Sequence, residues 1–356
     1  MGRVSPWCSR RAENGRTAII AGLQGGDELE ECPKVYVITL NWNAAADTTA
    51  CGEALRALDY SNCCFVVCDN ASRRESVTAL RAWGHTLPGG LPEFNAGPEA
   101  DWPREKPQDP GRAVLIHTGG NLGYAGGMNA GMRYALDQGD ADYVWILNND
   151  TVMEPDALSR LVDRMQEDLR IGICGSTLID FNDRQKIQEL GGASYEPWRA
   201  RSRALGAFGA VGTVPKNPAE TERHMGYISG AAMLVSRAFL AAVGLMDERY
   251  FLYSEEHDWA QRGRRRGFRL GYAPRSIVYH KHGATIGTSP HGGSELSLFY
   301  LYRSKRDFAA RHYPWLLPVS FPALCWDGLK FLMKGQKRKA RAVFRGLLAA
   351  PPRKPH

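Results

Sequence analysis

The stretch YVWILNND, residues 143–150, runs five apolar residues straight into Asn148, Asn149 and Asp150. A short run rich in β-branched and aromatic residues that ends in turn formers reads as a buried strand. Three earlier stretches have the same shape: KVYVITLN (34–41), CFVVCDN (64–70) and AVLIHT (113–118). Helical patterns fall between them, Asp47–Tyr60 with Asp47 as N-cap, Ser76–Trp83 and Tyr124–Leu136. The order β-α-β-α-β-α-β predicts an α/β fold: a Rossmann-like, doubly wound, mostly parallel central sheet flanked by helices.

Outward from this frame the pattern changes. Residues 86–112 are rich in Pro and Gly and read as an inserted surface loop. Beyond Asp150 the sequence predicts a helix over 154–169, a strand at IGICGSTLI (171–179), an irregular stretch over 191–226 and a strand at AAMLVS (231–236). Two more helices are expected at 237–243 and 255–266. The units expected are an N-terminal extension over 1–33, a main unit over 34–290 whose halves meet at residue 150, and a basic amphipathic helical extension over 291–356.

With 356 residues, 44% of them hydrophobic, the chain can bury a full core. The net charge of +7 is unevenly placed: residues 301–356 hold 13 Lys/Arg against 2 Asp/Glu. The basic character therefore belongs to the tail, which argues against a nucleic-acid groove and for a local anionic contact. Aromatic and aliphatic residues interleave with lysines and arginines over 314–345, fitting a peripheral contact with an anionic membrane. Pro314, Pro318 and Pro322 predict an irregular start to that segment. None of the eight cysteines forms a CxxC pair, so buried, reduced thiols are expected. No signal peptide and no membrane span is expected, and the chain is placed in the cytoplasm, peripheral on the inner face of the membrane.

In open parallel sheets ligands bind beyond the carboxyl ends of the strands. Those ends carry Asn41 and Asn43, then Asp69 and Asn70, then the loop 118–129, then Asn148, Asn149 and Asp150. The Asp69 carboxylate can accept a hydrogen bond from the N3–H of uracil or thymine, or cap the next helix. The stretch GGNLGYAGGMNAG (119–131) is neither of the common glycine-rich nucleotide fingerprints. Its Asn121, Gly123, Gly126, Gly127 and Asn129 either present amides to a diphosphate or serve tight helix–sheet packing. Asp150 can ligand Mg2+ or Mn2+, cations that need phosphate oxygens to complete their shell. Farther on, Glu255, Glu256 and Asp258 crowd three carboxylates into four residues, which suits a general base or a helix first turn. His280, at another strand end, is a candidate second metal ligand.

Seven segments in this order, VITLNWN, VVCDNAS, NLGYAGGMNAG, WILNNDT, SGAAMLVS, VGLMDERYFLYSEEHD and RLGYAPRSIVYHKHG, resemble the family 2 inverting glycosyltransferases of the GT-A fold. The similarity spans about residues 34–310 and is greatest to rhamnosyltransferase-like and galactofuranosyltransferase-like members of cell-surface glycan assembly. It implies a metal-dependent hexosyltransferase, with residues 34–150 binding nucleotide and 151–290 carrying the acceptor and catalytic side. The donor would be a UDP- or dTDP-sugar, rhamnose-like or another hexose. The acceptor would be a hydroxyl of a glycan, a lipid-linked sugar or a secondary metabolite.

By the same resemblance Asp69 holds the base and Thr39 and Asn41 line its pocket, with Asn43, Asn121, Gly123, Gly126, Gly127, Asn129 and Asn149 in the nucleotide site. Asn148 and Asp150 take the outer positions of a D-x-D motif, Asp150 as metal ligand and Asn148 at ribose or metal-bound water. His280 completes the metal site, and Glu256 takes the position of the catalytic base. The family usually has Asp there; one methylene moves the carboxylate by roughly 1.5 Å, so Glu255 and Asp258 stay as candidates. Trp198, Gly230 and His282 are acceptor candidates, and the arginines beside Trp198 could grip a phosphate. Homo-oligomer formation is left open. Two other readings are weighed. A nucleotidyltransferase would carry a Gly-rich, Lys- or Arg-bearing turn after the first strand, where this chain reads NWNAAADTT. A non-catalytic nucleotide-sugar scaffold is kept alive by the Glu256 departure.

Overall fold

The computed structural model describes residues 32–97, 102, 113–281 and 293–350. Its strands are β1 (Val35–Asn41), β2 (Cys63–Asp69), β3 (Glu93–Asn95), β4 (Ala113–His117), β5 (Tyr143–Leu147), β6 (Thr151–Met153), β7 (Ile171–Asp180) and β8 (Ile187–Leu190), then β9 (Gly192–Glu196), β10 (Arg201–Ala204), β11 (Tyr227–Ile228), β12 (Ala232–Ser236) and β13 (Arg269–His280). The main sheet runs β3-β4-β2-β1-β5-β12-β7-β13-β6, with β8 paired to β7. Pairs from β3 to β5 are parallel, as are β7 and β13. β12 is antiparallel to both β5 and β7.

Side-chain alternation divides the core. Tyr36 and Ile38 of β1 face one hydrophobic layer, Val35 and Val37 the other, and all four are buried. Each layer is closed by helices. Gly123–Asp137 lies on the first, and Ala45–Arg56 and Ala157–Glu167 on the second. Strand β1 is buried on both faces, which is why it reads as an unbroken apolar run.

Register sets the functional edge. Asn41 pairs with Asp69, and Asp69 with His117, so three strands end flush. The reversed β12 begins at that same edge, because Ala232 pairs with Leu147. β13 also arrives there: His280 lies opposite Thr151 of the antiparallel β6, one residue after Asp150.

Some expectations are corrected. Part of the 86–112 insertion is strand β3, and the stretch called irregular over 191–226 holds a second sheet, β10-β9-β11. Asp47 is not the N-cap; Ala44 is, and the Asp47 carboxylate pairs with Lys281 at 2.6 Å. The tail starts with a short 3-10 turn, Pro314–Leu316, and then continues as helix from Leu317 through Pro322 to Met333. Pro318 falls in the first turn, where no backbone N–H is needed. Among the described residues this one helical stretch, Pro314–Met333, is by length and composition apolar enough to cross a membrane, although no span was expected. It packs with helices Glu295–His312 and Lys337–Leu348 around Leu298, Tyr302, Leu324, Val343 and Leu347. Cys51, Cys63, Cys64, Cys68, Cys174 and Cys325 are free thiols, whereas Cys32 is disulfide-bonded, against expectation.

Candidate active site

At the ends of β1 and β2 the polar side chains are tied to one another. The Asn41 amide donates to Asp69 Oδ1 at 2.8 Å and to Ser72 Oγ at 3.0 Å. Thr48 donates to Asn41 Oδ1 at 2.9 Å, and Asn149 donates to Thr48 at 3.0 Å. Asp69 Oδ2 accepts from the Ser72 amide at 3.1 Å, so it braces a loop rather than capping the helix, whose N-cap is Arg73. Asn43 sits at φ 56, a left-handed turn that Asn tolerates, and its Oδ1 accepts from the Arg73 amide at 2.7 Å. Thr39 is the exception: its hydroxyl is buried and has no partner among the described residues.

Of the two roles open to the glycine-rich turn, diphosphate cradle or tight packing, its contacts favour packing. The amides of Leu122, Gly123 and Tyr124 are already occupied by Asn70 Oδ1 at 2.9 Å, Asn121 Oδ1 at 3.0 Å and the Phe251 carbonyl at 2.8 Å. A Cβ on Gly123 would lie 2.1 Å from the Phe251 carbonyl oxygen, one on Gly126 2.7 Å from Leu122, and one on Gly127 2.3 Å from Leu40. These glycines allow close packing. Asn129 is likewise buried, its amide donating to the Met246 carbonyl at 2.9 Å and to Glu248 at 2.8 Å. It holds the 246–248 loop and does not face the strand ends.

Asp150 and His280 meet. Nε2 of His280 lies 3.2 Å from Asp150 Oδ1, both side chains largely buried. Gln188 fixes the imidazole. Its amide nitrogen donates to the His280 carbonyl at 2.8 Å, which turns its amide oxygen to His280 Nδ1 at 3.0 Å. The ring hydrogen therefore sits on Nδ1. Nε2 thus faces the Asp150 carboxylate, and the two side chains offer a nitrogen and oxygens of the kind that ligand a divalent cation. Among the described residues no group of three or more His, Cys, Asp or Glu could hold a metal. The donor set is thus an Asp–His pair with Asn148 alongside in sequence. A hard cation needs six or more ligands, so here most would come from water or phosphate, which fits Mg2+ or Mn2+ shared with a diphosphate.

The carboxylates before and within helix Glu255–Arg265 separate by environment. Tyr253 (φ 70) and Ser254 (φ 68) are both left-handed, a strain of order 1–3 kcal/mol each that is tolerated where the fold over-determines it. This turn drives Glu255 and Glu256 inward. Glu256 Oε1 sits 2.6 Å from where a Gly230 Cβ would be, and the Tyr124 hydroxyl donates to the Gly230 carbonyl at 2.6 Å. Gly230, expected at the acceptor, is thus the floor under Glu256. Burial, with Glu189 nearby, pushes Glu256 up to about 7. Burial and then Glu256 push Glu255 well above the ordinary carboxylate range, and its Oε2 has no partner among the described residues. Glu189 is also raised to about 7 by burial. Burial, then the charges of Glu256, Glu255 and Asp150, raises the Tyr124 phenol, so this hydroxyl stands between the metal-type carboxylate and the raised pair.

Asp258 goes elsewhere. Although fully buried, it accepts from His312 at 2.7 Å and Arg262 at 2.6 Å, with Arg311 at 3.5 Å. Desolvation opposes them, but the hydrogen bond from His312 and the charges of Arg262 and Arg311 hold it below the usual range. An acid so paired and buried braces the helix and has no exposed oxygen to offer a substrate. Trp198 is exposed, with the Arg199 guanidinium 4.2 Å above its ring, and Arg201 is bound to Asp327 at 2.7 Å. His282 lies outside the described residues. Gln188, Glu189 and Tyr124 were not singled out from the sequence. In IQEL the buried Ile187 and Leu190 bracket two polar residues, a weak signal without the partner strand.

The family described as Glycosyl transferase family 2 matches residues 36–243. An N-acetylglucosaminyl-diphospho-decaprenol L-rhamnosyltransferase of Mycobacterium tuberculosis is 28% identical over 223 residues, covering 56% of this chain and 68% of that protein. A low-salt glycan biosynthesis hexosyltransferase, Agl10, of Haloferax volcanii is 26% identical over 158 residues, 44% of this chain and 48% of that protein. Among solved structures, a mannosyltransferase of Pyrobaculum calidifontis in complex with GDP-Man and Mn2+ aligns with TM-score 0.51 and 14% identity, over 96% of this chain and 93% of that one. GalNAc-T7 with UDP, GalNAc and Mn2+ aligns with TM-score 0.53 and 14% identity, over 79% and 50%.

Proposed function

Because the chain belongs to glycosyltransferase family 2 and is a glycosyltransferase of the GT-A fold, we propose that it transfers a hexose, rhamnose-like, from a UDP- or dTDP-sugar to a hydroxyl of a lipid-linked glycan, with inversion. The observation that carries this is the Asp150–His280 pair, a carboxylate and an imidazole 3.2 Å apart at the edge where strand ends gather, donor types that suit a divalent cation. The rhamnosyltransferase relative supports the sugar and the lipid-linked acceptor. The Mn2+ named with two fold neighbours supports the metal, Mg2+ or Mn2+.

In this reading Asp69, Asn41 and Thr39 receive the base, with Asn43, Asn121, Asn148 and Asn149 shaping the pocket around base and ribose. Asp150 and His280 hold the cation, oriented by Gln188. A divalent cation there supplies charge neutralisation for the departing nucleoside diphosphate. Glu256 takes the proton from the acceptor hydroxyl, and that oxygen attacks the sugar's C1 opposite the leaving group. A base whose pKa is near 7 is well matched to neutral pH. Tyr124 and Gly230 hold the Glu256 carboxylate in place. Residues 34–290 form the catalytic unit, and residues 291–356 an extension on its acceptor side.

The test is a calorimetric titration with UDP and dTDP, each with Mn2+ and with EDTA. Binding that needs the metal and is lost in Asp150→Ala supports the reading, and the tighter nucleotide names the donor's base. Absence of binding in every condition refutes it.

The tail supports a cytoplasmic enzyme working at the inner membrane surface. Trp315, Val319, Pro322, Trp326, Leu329 and Met333 recur at spacings of three and four, which puts them on one helix face, and all are exposed. Ser320, Leu324 and Gly328 form the opposite, buried face. Lys334, Lys337, Arg338 and Arg341 follow, also exposed. A helix anchored along one side, with Asp327 held by Arg201, presents the other side flat to a lipid surface. Co-sedimentation with phosphatidylglycerol vesicles that survives high salt but fails in Trp326→Ser/Leu329→Ser supports insertion of this stripe; equal sedimentation of the variant rejects it.

A further inference from the structure

Beside Glu256, between the small sheet β10-β9-β11 and helix Glu295–His312, lies a cavity of about 250 Å³. Glu256 forms one end, and Lys305, Tyr195, Tyr227, Tyr253, Ser202 and His257 line the rest. Its chemistry is one-sided. Lys305 brings a charge to an enclosed place, and burial lowers its pKa. Among the described residues it has no ion pair; the acid whose field favours it, Asp327, is spent on Arg201 at 2.7 Å and Lys330 at 3.1 Å. The Tyr195 hydroxyl and His257 Nδ1 are buried without partners among the described residues. Burial, then the charge on Lys305, holds His257 down to about 3, so its ring is neutral and stacks on Tyr227 at 3.6 Å.

An enclosed cation beside the unpartnered Tyr195 hydroxyl lacks an anion, because buried charges and buried donors are normally paired. The carboxylate of Glu256 at the other end repels that anion and accepts a hydroxyl. The complementary ligand therefore carries a hydroxyl at one end and an anion at the other. The flat Tyr227–His257 pair makes a wall on which a sugar ring can pack. We propose that this cavity is the acceptor's phosphate subsite: a sugar-linked diphosphate rests on Lys305 and the tyrosine and serine hydroxyls, with the sugar's own hydroxyl turned to Glu256. The inference rests on Glu256 being the base of a sugar transfer. It adds a specificity residue, Lys305, from the tail helix, so that the tail completes the acceptor site.

The test measures binding of two synthetic acceptors by the full chain: an N-acetylglucosaminyl diphosphate bearing a short alkyl chain, and the neutral octyl N-acetylglucosaminide. The diphosphate should bind about 10- to 100-fold tighter than the glycoside, as expected for a desolvated charge pair. Lys305→Met should erase that preference, Lys305→Arg should keep part of it, and both should bind nucleotide with Mn2+ as the parent does. A preference unchanged in Lys305→Met overturns the inference, as does equal binding of the two acceptors by the parent. Methylene bisphosphonate lacks the sugar and should compete weakly. Competition as strong as the whole glycolipid marks a free-phosphate site and overturns the assignment. A parent that binds no nucleotide at all refutes the transferase reading itself, whereas nucleotide binding without diphosphate preference refutes only this inference.

Discussion

The two sides of the site are built on opposite principles. On the proposed donor side, Asn41, Asp69, Thr48 and Asn149 satisfy one another in a chain of bonds between 2.8 and 3.0 Å, and the buried Thr39 hydroxyl has no partner among the described residues. On the proposed acceptor side, Glu255 Oε2, His257 Nδ1 and the Tyr195 hydroxyl are buried without partners among the described residues, and Glu189 and Glu256 are both raised to about 7. A closed network fixes geometry before the ligand arrives. Unpaired buried groups store a cost that a ligand can relieve. The difference teaches which half of the molecule is a preset template and which half is completed by what it binds.

The largest effect expected breaks the comparison within one helix, where Glu256 faces the open half and Asp258 the closed one. Glu256→Gln should lower turnover by about 100- to 10,000-fold while leaving melting temperature and nucleotide affinity unchanged. Asp258→Asn should instead cost about 3–5 kcal/mol of stability, because Arg262 and His312 lose their buried partner. The same pair fixes the pH profile. A raised carboxyl carries its proton below its pKa, so the base form appears only as pH climbs, and activity should rise through an acid limb near 7. That limb belongs to the interacting Glu189, Glu255 and Glu256 together. Thermal melts and initial rates across pH 3.5–9 decide the matter: unchanged turnover in Glu256→Gln, or an acid limb at the ordinary carboxylate pKa near 4.3, removes Glu256 as base.

This contrast also explains what was legible in the sequence. The strands β1, β2, β4 and β5 showed because they are buried on both faces and read as unbroken apolar runs. Their polar ends marked the site because the parallel register lines them up. β12 showed as a strand at AAMLVS, but its reversal did not, since an apolar run carries no direction. The short strands β9 and β10, with polar Ser194, Arg201 and Ser202, carry no periodicity to betray a sheet. Glycine density was visible, but whether a glycine serves a ligand or a neighbour depends largely on Leu40 and Phe251, which lie far along the chain. Lys305 was hidden in plain composition: among 13 basic residues of the tail, only tertiary structure separates the one that lines a cavity from those on the surface. Asp258 could not be told from Glu256 without His312, 54 residues away.

A smaller effect sharpens the comparison at the border between the halves, where Gln188 governs His280 without reaching the substrate. Its two hydrogen bonds orient the imidazole so that Nε2 faces Asp150. Replacing Gln188 with Leu keeps the volume and removes both bonds. Partners of this kind are worth about 10- to 100-fold in metal affinity. Mn2+ titration of Gln188→Leu, followed by electron paramagnetic resonance in the presence of UDP or dTDP, should therefore show a weaker metal and an unchanged fold by circular dichroism. Gln188→Glu tests the sign. A carboxylate at that position also accepts from Nδ1, so it should restore the tautomer and much of the affinity. Equal Mn2+ affinity across parent, Leu and Glu variants would mean that His280 is oriented by β13 alone, and that the template on the donor side is set by backbone register rather than by side-chain bonds.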